Sequence, residues 1–180
     1  MPARIRATFS GGAARQSGGR TLWAMDLMSI NPETRDQAQR SQYYDAFSDG
    51  YDLGRDRGYH AFLDRMELNT ILPLVEGKDV LEAGCGTGLL LQHVAAKAGR
   101  AIGVDLSGGM LGRARQRELP VVQGTLTQLP FPDASFDLIY SCKVLAHVPD
   151  LEGTLRELDR VTRPGGHLVL EFYNRRSLRY

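Results

Sequence analysis

The stretch Val80-Leu81-Glu82-Ala83-Gly84-Cys85-Gly86-Thr87-Gly88 decides the fold. The run from Asp79 to Ala83 is short and mostly apolar, which is typical of a buried parallel strand. Three glycines then follow within five residues, where the backbone can turn sharply and approach a ligand with no side chain between them. A helix predicted over residues 89–97 would point its free N–H groups at the same place. The stretch therefore predicts a strand, a tight turn and a helix that together bind a charged or polar ligand.

Strands and helices alternate along the rest of the chain. Upstream, two helices are predicted, one opening at Asn31-Pro32 and ending near Phe47, and one from Tyr59 to Leu72 that Pro73 stops. Downstream, strands are predicted at 101–105, 121–122, 136–142 and 167–173, with a helix at 107–117 after the first of them. A further helix precedes the last strand: Asp150 caps it and Pro164-Gly165-Gly166 ends it. Its residues Leu151, Leu155 and Leu158 are predicted to face the core.

This alternation predicts an α/β fold, with a Rossmann-like, doubly wound, mostly parallel sheet and helices on both faces. In such sheets, ligands bind beyond the carboxyl ends of the strands, at the point where the strand order reverses. The glycine stretch stands at such a strand end. We therefore expect the functional site there.

Composition and charge exclude several classes of protein. The chain has 180 residues, 42% hydrophobic and 24% charged, which suits a soluble globular protein of one domain. Its net charge of +1 provides no overall field that would select a nucleic acid, and no apolar run approaches the length of a membrane span. The two cysteines, Cys85 and Cys142, are too few for a disulfide scaffold. We expect a cytoplasmic protein with neither a membrane span nor a nucleic-acid partner.

The first 24 residues differ from the rest, with four arginines, two glycine pairs and no acid. They lack the apolar core of a secretory signal. They resemble an organellar leader in composition, but the glycine pairs disfavour an amphipathic helix and favour a disordered extension. The expected organisation is a disordered leader at 1–24, an N-terminal helical lid at 25–73 and a ligand-binding core at 74–180.

Asp105 ends the second strand of the core, 21 residues after Gly84. At this spacing an acid can reach the hydroxyls of a ribose bound at the glycine turn. The alternative is a plain strand-to-helix turn in which Asp105 only caps the next helix, and the glycines disfavour it. An NAD or FAD fingerprint needs a small residue at position 89, where this chain has the bulky Leu89. A nicotinamide oxidoreductase is therefore the less favoured interpretation, and a ligand with one ribose and a compact charged group fits better.

These motifs resemble those of the class I S-adenosylmethionine-dependent methyltransferases, and within them the type 11 methyltransferase domain, to which the ubiquinone and menaquinone C-methyltransferases are related. The resemblance runs from residue 79 to 173 in the family's order. It is carried by the glycine stretch, by Gly103–Ser107 with Met110-Leu111, by 129–133 with 135–137, by His147–Asp150 and by 160–166. It implies the class I fold, S-adenosyl-L-methionine as cofactor and methyl transfer to a small-molecule acceptor.

The resemblance also implies roles for single residues. Glu82 would accept hydrogen bonds from the ammonium of the cofactor, and Asp105 would accept both ribose hydroxyls. Leu106 and Met110 would pack on the adenosine, although ordinary core packing explains Met110 equally well. Thr125 stands where the family usually has an acid, so recognition of adenine would be weaker or rest on the neighbouring N–H. The expected cofactor contacts are Tyr51, Glu82, Gly84, Cys85, Gly86, Gly88, Asp105, Leu106, Met110, Thr125, Leu126 and Ser141.

Methyl transfer needs an aligned acceptor more than a catalytic apparatus. Proximity and orientation supply on the order of 7–11 kcal/mol in such reactions. His147 is the candidate general base if the acceptor must lose a proton, and a purely structural loop histidine is the alternative. The four histidines lie far apart with no zinc-like spacing, so we expect no metal.

The C-terminal part departs from the family pattern. The family's sheet continues beyond the fifth strand, whereas this sequence ends a few residues after it. The fifth strand would then be an exposed apolar edge, which a partner chain or a missing C-terminal segment would cover. Two functions follow from the resemblance: a methyltransferase of small molecules, or a cofactor-binding fragment or pseudoenzyme subunit without activity of its own.

Overall fold

The computed structural model describes residues 37–173. The arginine-rich leader, the predicted helix start at Asn31-Pro32 and the C-terminal arginines lie outside the described residues. Among residues 37–173, five strands form one parallel sheet in the order β3-β2-β1-β4-β5. The strands are β1 (Asp79–Ala83), β2 (Arg100–Asp105), β3 (Val121–Gln123), β4 (Phe136–Ser141) and β5 (Thr162–Leu170). The chain runs outward from β1 to β3 and then crosses back to β4, so the strand order reverses between β1 and β4.

Within the described part of the chain, five helices surround this sheet. They are α1 (Gln37–Phe47), α2 (Gly58–Ile71), α3 (Leu91–Ala95), α4 (Gly108–Gln116) and α5 (Leu151–Val161), with single 3-10 turns at Ser48–Gly50, Leu72–Leu74 and Leu145–His147. The predicted cap of α5 is confirmed, because the Asp150 carboxylate accepts a hydrogen bond of 2.8 Å from the Gly153 N–H. None of the described helices has the length and apolar character that crossing a membrane requires.

The core has one layer on each side of the sheet because successive side chains of β1 point to opposite faces. Val80 packs with Leu91 of α3 and Leu111 of α4 in one buried cluster. Leu81 packs with Leu158 of α5 in the other. The predicted Rossmann-like α/β fold, a doubly wound parallel sheet with helices on both faces, is therefore confirmed.

The region around β5 differs from the sequence expectation. Pro164-Gly165-Gly166 does not end α5, which already stops at Val161, but lies inside β5. The pairing with β4 shifts there, because Phe136 faces Thr162 while Leu138 faces His167. Gly165, at φ +80°, provides the left-handed backbone that this irregularity uses.

Two helices also differ from the expectation. Leu151, at the first position of α5, is 37% exposed and does not face the core as predicted, whereas Leu155 and Leu158 pack there. The helix predicted over 89–97 is only five residues long, because the glycine turn extends to Leu90.

Candidate cofactor-binding site

A cavity opens beyond the carboxyl ends of β1, β2, β3 and β4, at the place where the strand order reverses. Its floor is formed by the last residues of β1 and by the loops that follow the four strands. The α1 helix and the segment that connects it to α2 cover it from the other side with Arg40, Tyr44, Tyr51 and Arg55. This is the position at which parallel sheets of this type bind their ligands.

The glycine loop forms one wall of this cavity. The N–H groups of Gly84 and Cys85 both donate to the Val104 carbonyl, at 2.8 and 3.0 Å, and this holds the loop against β2. Gly84 has φ +83°, and a Cβ there would collide with Val144 in the loop after β4. Gly86 has φ +53° and open space where a Cβ would be. At Gly86, bare backbone therefore faces the cavity, as a closely approaching ligand requires.

Asp105 joins the glycine loop to the loop after β2. Its Oδ2 accepts a hydrogen bond of 2.8 Å from the Gly86 N–H, and its Oδ1 accepts one of 2.9 Å from the Ser107 N–H. Burial raises the pKa of this carboxyl above its usual value, and these backbone donors offset only part of the rise. Each oxygen keeps a further lone pair, so a rigidly held carboxylate can accept two neighbouring hydroxyls from the cavity.

Glu82 is a buried acid at the end of β1 that also lines the cavity. The Tyr140 hydroxyl donates to its Oε2 at 2.9 Å. Burial raises the pKa of Glu82 to about 8, because a carboxylate is poorly solvated there. A ligand cation would supply the missing positive charge, which fits the predicted contact with an ammonium group.

Most of the other predicted contacts also line the cavity, namely Tyr51, Cys85, Leu106, Met110, Thr125 and Leu126. The Thr125 hydroxyl lies 3.0 Å from that of Thr127. Met110 is 3% exposed and also packs as a core residue would. The structure thus brings the residues of four separate loops to one place.

Two predicted contacts, Gly88 and Ser141, do not line the cavity. The Ser141 hydroxyl donates to the Ala83 carbonyl at 2.7 Å, so it ties β1 to β4. Gly88 has φ +82°, and a Cβ there would collide with Leu119 beyond α4. In the structure, Ser141 holds two strands together and Gly88 allows the glycine turn to pack closely, and a cofactor contact of either residue stays a prediction.

His147 lies on the 3-10 turn after β4 and lines the cavity. Its side chain is exposed, yet enough of the ring is desolvated to lower its pKa. A histidine of this kind is neutral at pH 7 and can accept a proton. Cys142, by contrast, has its pKa raised by burial, so the thiol keeps its proton and is no ready nucleophile.

Several cavity residues were missed in the sequence, above all a charged group at the β4 end. Lys143 follows β4, and its Nζ donates to Asp64 Oδ1 at 2.6 Å and to Glu67 Oε2 at 2.7 Å on α2. Arg55 pairs with the same Asp64 at 3.7 Å. These contacts join residues far apart in the chain, and only the position of Lys143 at a strand end could have indicated them.

One group of side chains in the described part of the chain has atoms close enough together to hold a metal ion: Glu67, Cys142 and Glu171. However, Lys143 donates to two of them, through Nζ to Glu67 and through its backbone N–H to Glu171 at 2.6 Å. One oxygen of Glu67 is therefore already paired with a cation of the protein, and one oxygen of Glu171 with a backbone N–H. The expectation of a site without metal stays a prediction.

Three acids join the segment predicted to be a lid to the rim of the cavity, and we call them the lid acids: Asp45, Asp49 and Asp52. Asp45 accepts from the Ser107 hydroxyl at 2.5 Å and from the Gly109 N–H at 2.8 Å. Asp49 pairs with Arg113 at 2.7 Å. Asp52 accepts from the Thr87 hydroxyl and from Arg117 Nη2, both at 2.7 Å. The segment predicted to be a lid thus contacts the glycine loop and both ends of α4.

The comparison with known families agrees with this geometry. Residues 81–170 match the family described as a methyltransferase domain. The chain belongs to this family. This methyltransferase domain is 39% identical over 127 residues to the demethylmenaquinone methyltransferase of Mycobacterium sp. (strain JLS), covering 71% of the chain and 53% of that protein. The chain spans about half the length of the curated relatives it matches.

Two solved structures resemble the methyltransferase domain. One is a putative methyltransferase in complex with the Trm112 methyltransferase activator from Haloferax volcanii, with a TM-score of 0.62 and 29% identity over 71% of this chain and 58% of that one. The other is a SAM-dependent methyltransferase from Thermotoga maritima, a possible histamine N-methyltransferase, with a TM-score of 0.61 and 30% identity over 72% of this chain and 59% of that one.

Proposed function

We propose that the chain is the cofactor-binding core of an S-adenosylmethionine-dependent methyltransferase that acts on a small-molecule acceptor. The observation that carries this proposal is that Glu82, the bare backbone at Gly86 and the carboxylate of Asp105 face one cavity at the end of the sheet. These groups match, in the same order, the ammonium group, the methionine chain and the ribose of the cofactor. Membership of the methyltransferase domain family supports it.

The remaining walls fit the same cofactor. Leu106, Met110 and Leu126 offer apolar surface beside Asp105, as an adenine ring requires. Leu89 occupies the position where a dinucleotide site needs a small residue, and its side chain lines the cavity. The residues that line the cavity therefore favour a ligand with one ribose and a charged amino-acid end over a dinucleotide.

When bound, S-adenosylmethionine supplies an electrophilic methyl group together with its leaving group. The residues of this chain then have to bind, orient and exclude water. Asp105 and Glu82 would fix the two ends of the cofactor, and Tyr44 and Tyr51 of the lid would close the cavity. Orientation of this kind supplies on the order of 7–11 kcal/mol. His147, neutral at pH 7, would accept the proton of an acceptor that must lose one.

We propose that the helical segment before residue 74 acts as the lid of this core. The lid acids support this role, because they bind the loops that carry the cofactor contacts. We also propose a cytoplasmic location, which the free thiols of Cys85 and Cys142 support.

A second candidate is a cofactor-binding subunit that has no activity until another segment completes it. In the described residues, β5 is an edge of the sheet, and the chain spans about half the length of its relatives. A partner chain or a further segment of the same polypeptide would cover β5. The Haloferax structure, in which a putative methyltransferase is bound to an activator, offers a precedent for a partner.

Calorimetric titration of the 180-residue chain with S-adenosylhomocysteine tests the cofactor site, with NADH as the control ligand. We expect micromolar binding of S-adenosylhomocysteine alone. Asp105→Ala should weaken it at least about tenfold, because hydrogen bonds to a charged group contribute about 1.5–3 kcal/mol. The matched control is Asp56→Ala, an exposed acid outside the cavity. A folded chain that binds NADH, or binds neither ligand, would contradict the proposal.

Turnover then separates the two candidates. Formation of S-adenosylhomocysteine from S-adenosylmethionine with quinone and amine acceptors would identify an enzyme. Cofactor binding without turnover, restored only by a covering segment or partner chain, would identify the subunit.

A further inference from the structure

The lid holds a largely buried arginine in the cavity whose donors are not all used. The side chain of Arg55 is 12% exposed, and its Nε is buried with no hydrogen-bond partner in the part of the chain that the structure describes. Its ion pair with Asp64, at 3.7 Å, is too long for a hydrogen bond. Asp64 already accepts from Lys143 at 2.6 Å. Because an unpaired buried donor costs free energy, this guanidinium calls for an acceptor from a ligand.

The guanidinium is also fixed in place before any ligand binds. Its Cζ lies 4.4 Å from the centre of the Tyr51 ring, so one face is stacked on an aromatic side chain. Stacking covers the face of the group and leaves its edge, where the N–H donors lie, free for other contacts. Such a planar edge matches the two oxygens of a carboxylate.

The position of Arg55 indicates which carboxylate this is. Asp105 would fix the ribose at the β2 end of the cavity, whereas Arg55 is linked through Asp64 to Lys143, two residues after the end of β4. Glu82, the expected partner of the cofactor's ammonium, interacts electrostatically with the same Lys143. In an amino acid the ammonium and the carboxylate are bonded to one carbon, so the carboxylate must lie at the same end as the ammonium.

A second arginine, Arg40, also has buried donors without a partner in the described residues, at Nε and Nη1. Arg40 is next in sequence to Ser41, whose hydroxyl donates a hydrogen bond of 3.3 Å to the Leu106 carbonyl. The charges of Arg40 and Asp105 both act on the pKa of Tyr44, so Arg40 lies at the adenosine end, where the cofactor has no carboxylate. Arg55 is thus the better candidate of the two.

We propose that Arg55 binds the carboxylate of the cofactor's methionine part, across the cavity from Glu82. One acid and one arginine would then recognise the two charges of the amino-acid group, an inference that rests on the proposed function. Because Arg55 belongs to the segment between α1 and α2, the bound cofactor would itself fasten the lid.

The test compares two ligands that differ in one group: S-adenosylhomocysteine and its decarboxylated form. Each is titrated calorimetrically into the full chain and into Arg55→Met. The control is Arg57→Met, which removes an exposed arginine two residues away. We expect loss of the carboxylate to weaken binding about 10- to 100-fold in the unmodified chain and in the control, as for other charged hydrogen bonds. Arg55→Met should bind both ligands with similar, weaker affinity.

Arg55→Lys, which keeps the charge but loses the planar edge, should retain part of the discrimination, and thermal unfolding of each variant checks that it folds. Full discrimination in folded Arg55→Met would overturn the proposal, as would loss of discrimination in Arg40→Met but not in Arg55→Met. If the unmodified chain binds both ligands equally, the cofactor site stands and the role of Arg55 falls. If it binds neither, the proposed function itself fails.

Discussion

A single buried acid, Glu82, sets the pH behaviour of the site. Its ordinary pKa is 4.5, and burial raises it to about 8 in the folded chain. Between these values the folded protein holds a proton that the unfolded chain has released. Glu82 therefore contributes most to the free energy of unfolding at low pH. This stabilisation is lost as the pH rises from about 4.5 to about 8. Most of this contribution is therefore already lost at neutral pH, which is the cost of keeping an uncharged carboxyl ready for a cation.

Binding of a ligand ammonium should reverse this protonation. At pH 7 we expect S-adenosylhomocysteine to displace most of one proton from Glu82, because the carboxylate then gains a positive partner. The measurement is calorimetry in two buffers of different ionisation enthalpy, whose difference in apparent binding heat counts the protons released. Glu82→Gln is nearly isosteric and should bind with no such release. An equal release in both proteins would assign the proton to another group.

At the scale of elements, the contacts of the lid acids differ in their surroundings. Asp52 and Arg117 are 31% and 26% exposed, and Asp52 also accepts from the buried Thr87 at the glycine loop. Asp49 is 90% exposed in its pair with Arg113. Solvated ion pairs contribute roughly 0–1 kcal/mol, whereas partly buried charged hydrogen bonds contribute about 1.5–3 kcal/mol. Asp52 should therefore hold the lid on the glycine loop, and Asp49 should matter little.

Asp52→Asn is expected to open the lid more often and to release bound S-adenosylhomocysteine about ten times faster, in line with the loss of one charged hydrogen bond. The matched change Asp49→Asn should alter the dissociation rate less than about twofold. Surface plasmon resonance with the immobilised chain measures both rates. Equal effects of the two variants would mean that net charge, and not the contact with the glycine loop, keeps the lid closed.

The elements also show what the sequence could and could not predict. The bounds of β1 and the cap at Asp150 are local features, set by an apolar run and by one side chain three residues from its partner, and both were predicted. The lysine group at the end of β4 was not, because Lys143 meets Asp64 and Glu67 at separations of 79 and 76 residues. No local sequence pattern indicates that residues so far apart in the chain will be in contact. Ser141 was expected at the cofactor from the family resemblance alone, and its hydrogen bond to Ala83, 58 residues away, was not predicted.

At the scale of the whole molecule, the two edges of the described sheet are unequal. β3 is three residues long, whereas β5 has nine, with Leu168 38% exposed. A long apolar edge with unused backbone N–H and C=O groups pairs readily with another strand. The short β3 edge offers few such groups. Self-association of the isolated chain should therefore proceed through β5.

Leu168→Lys should suppress this association, because a charge on an edge strand opposes pairing with a second copy. Val122→Lys on β3 is the control, since Val122 is 36% exposed and lies on the opposite edge. Sedimentation velocity over a wide concentration range should show concentration-dependent association of the unmodified chain and of the β3 variant, and mainly monomer for Leu168→Lys. Similar unfolding midpoints would show that the fold is unchanged. If all three proteins stay monomeric, the irregular start of β5 already protects its edge, and a covering strand would have to be recognised by its side chains.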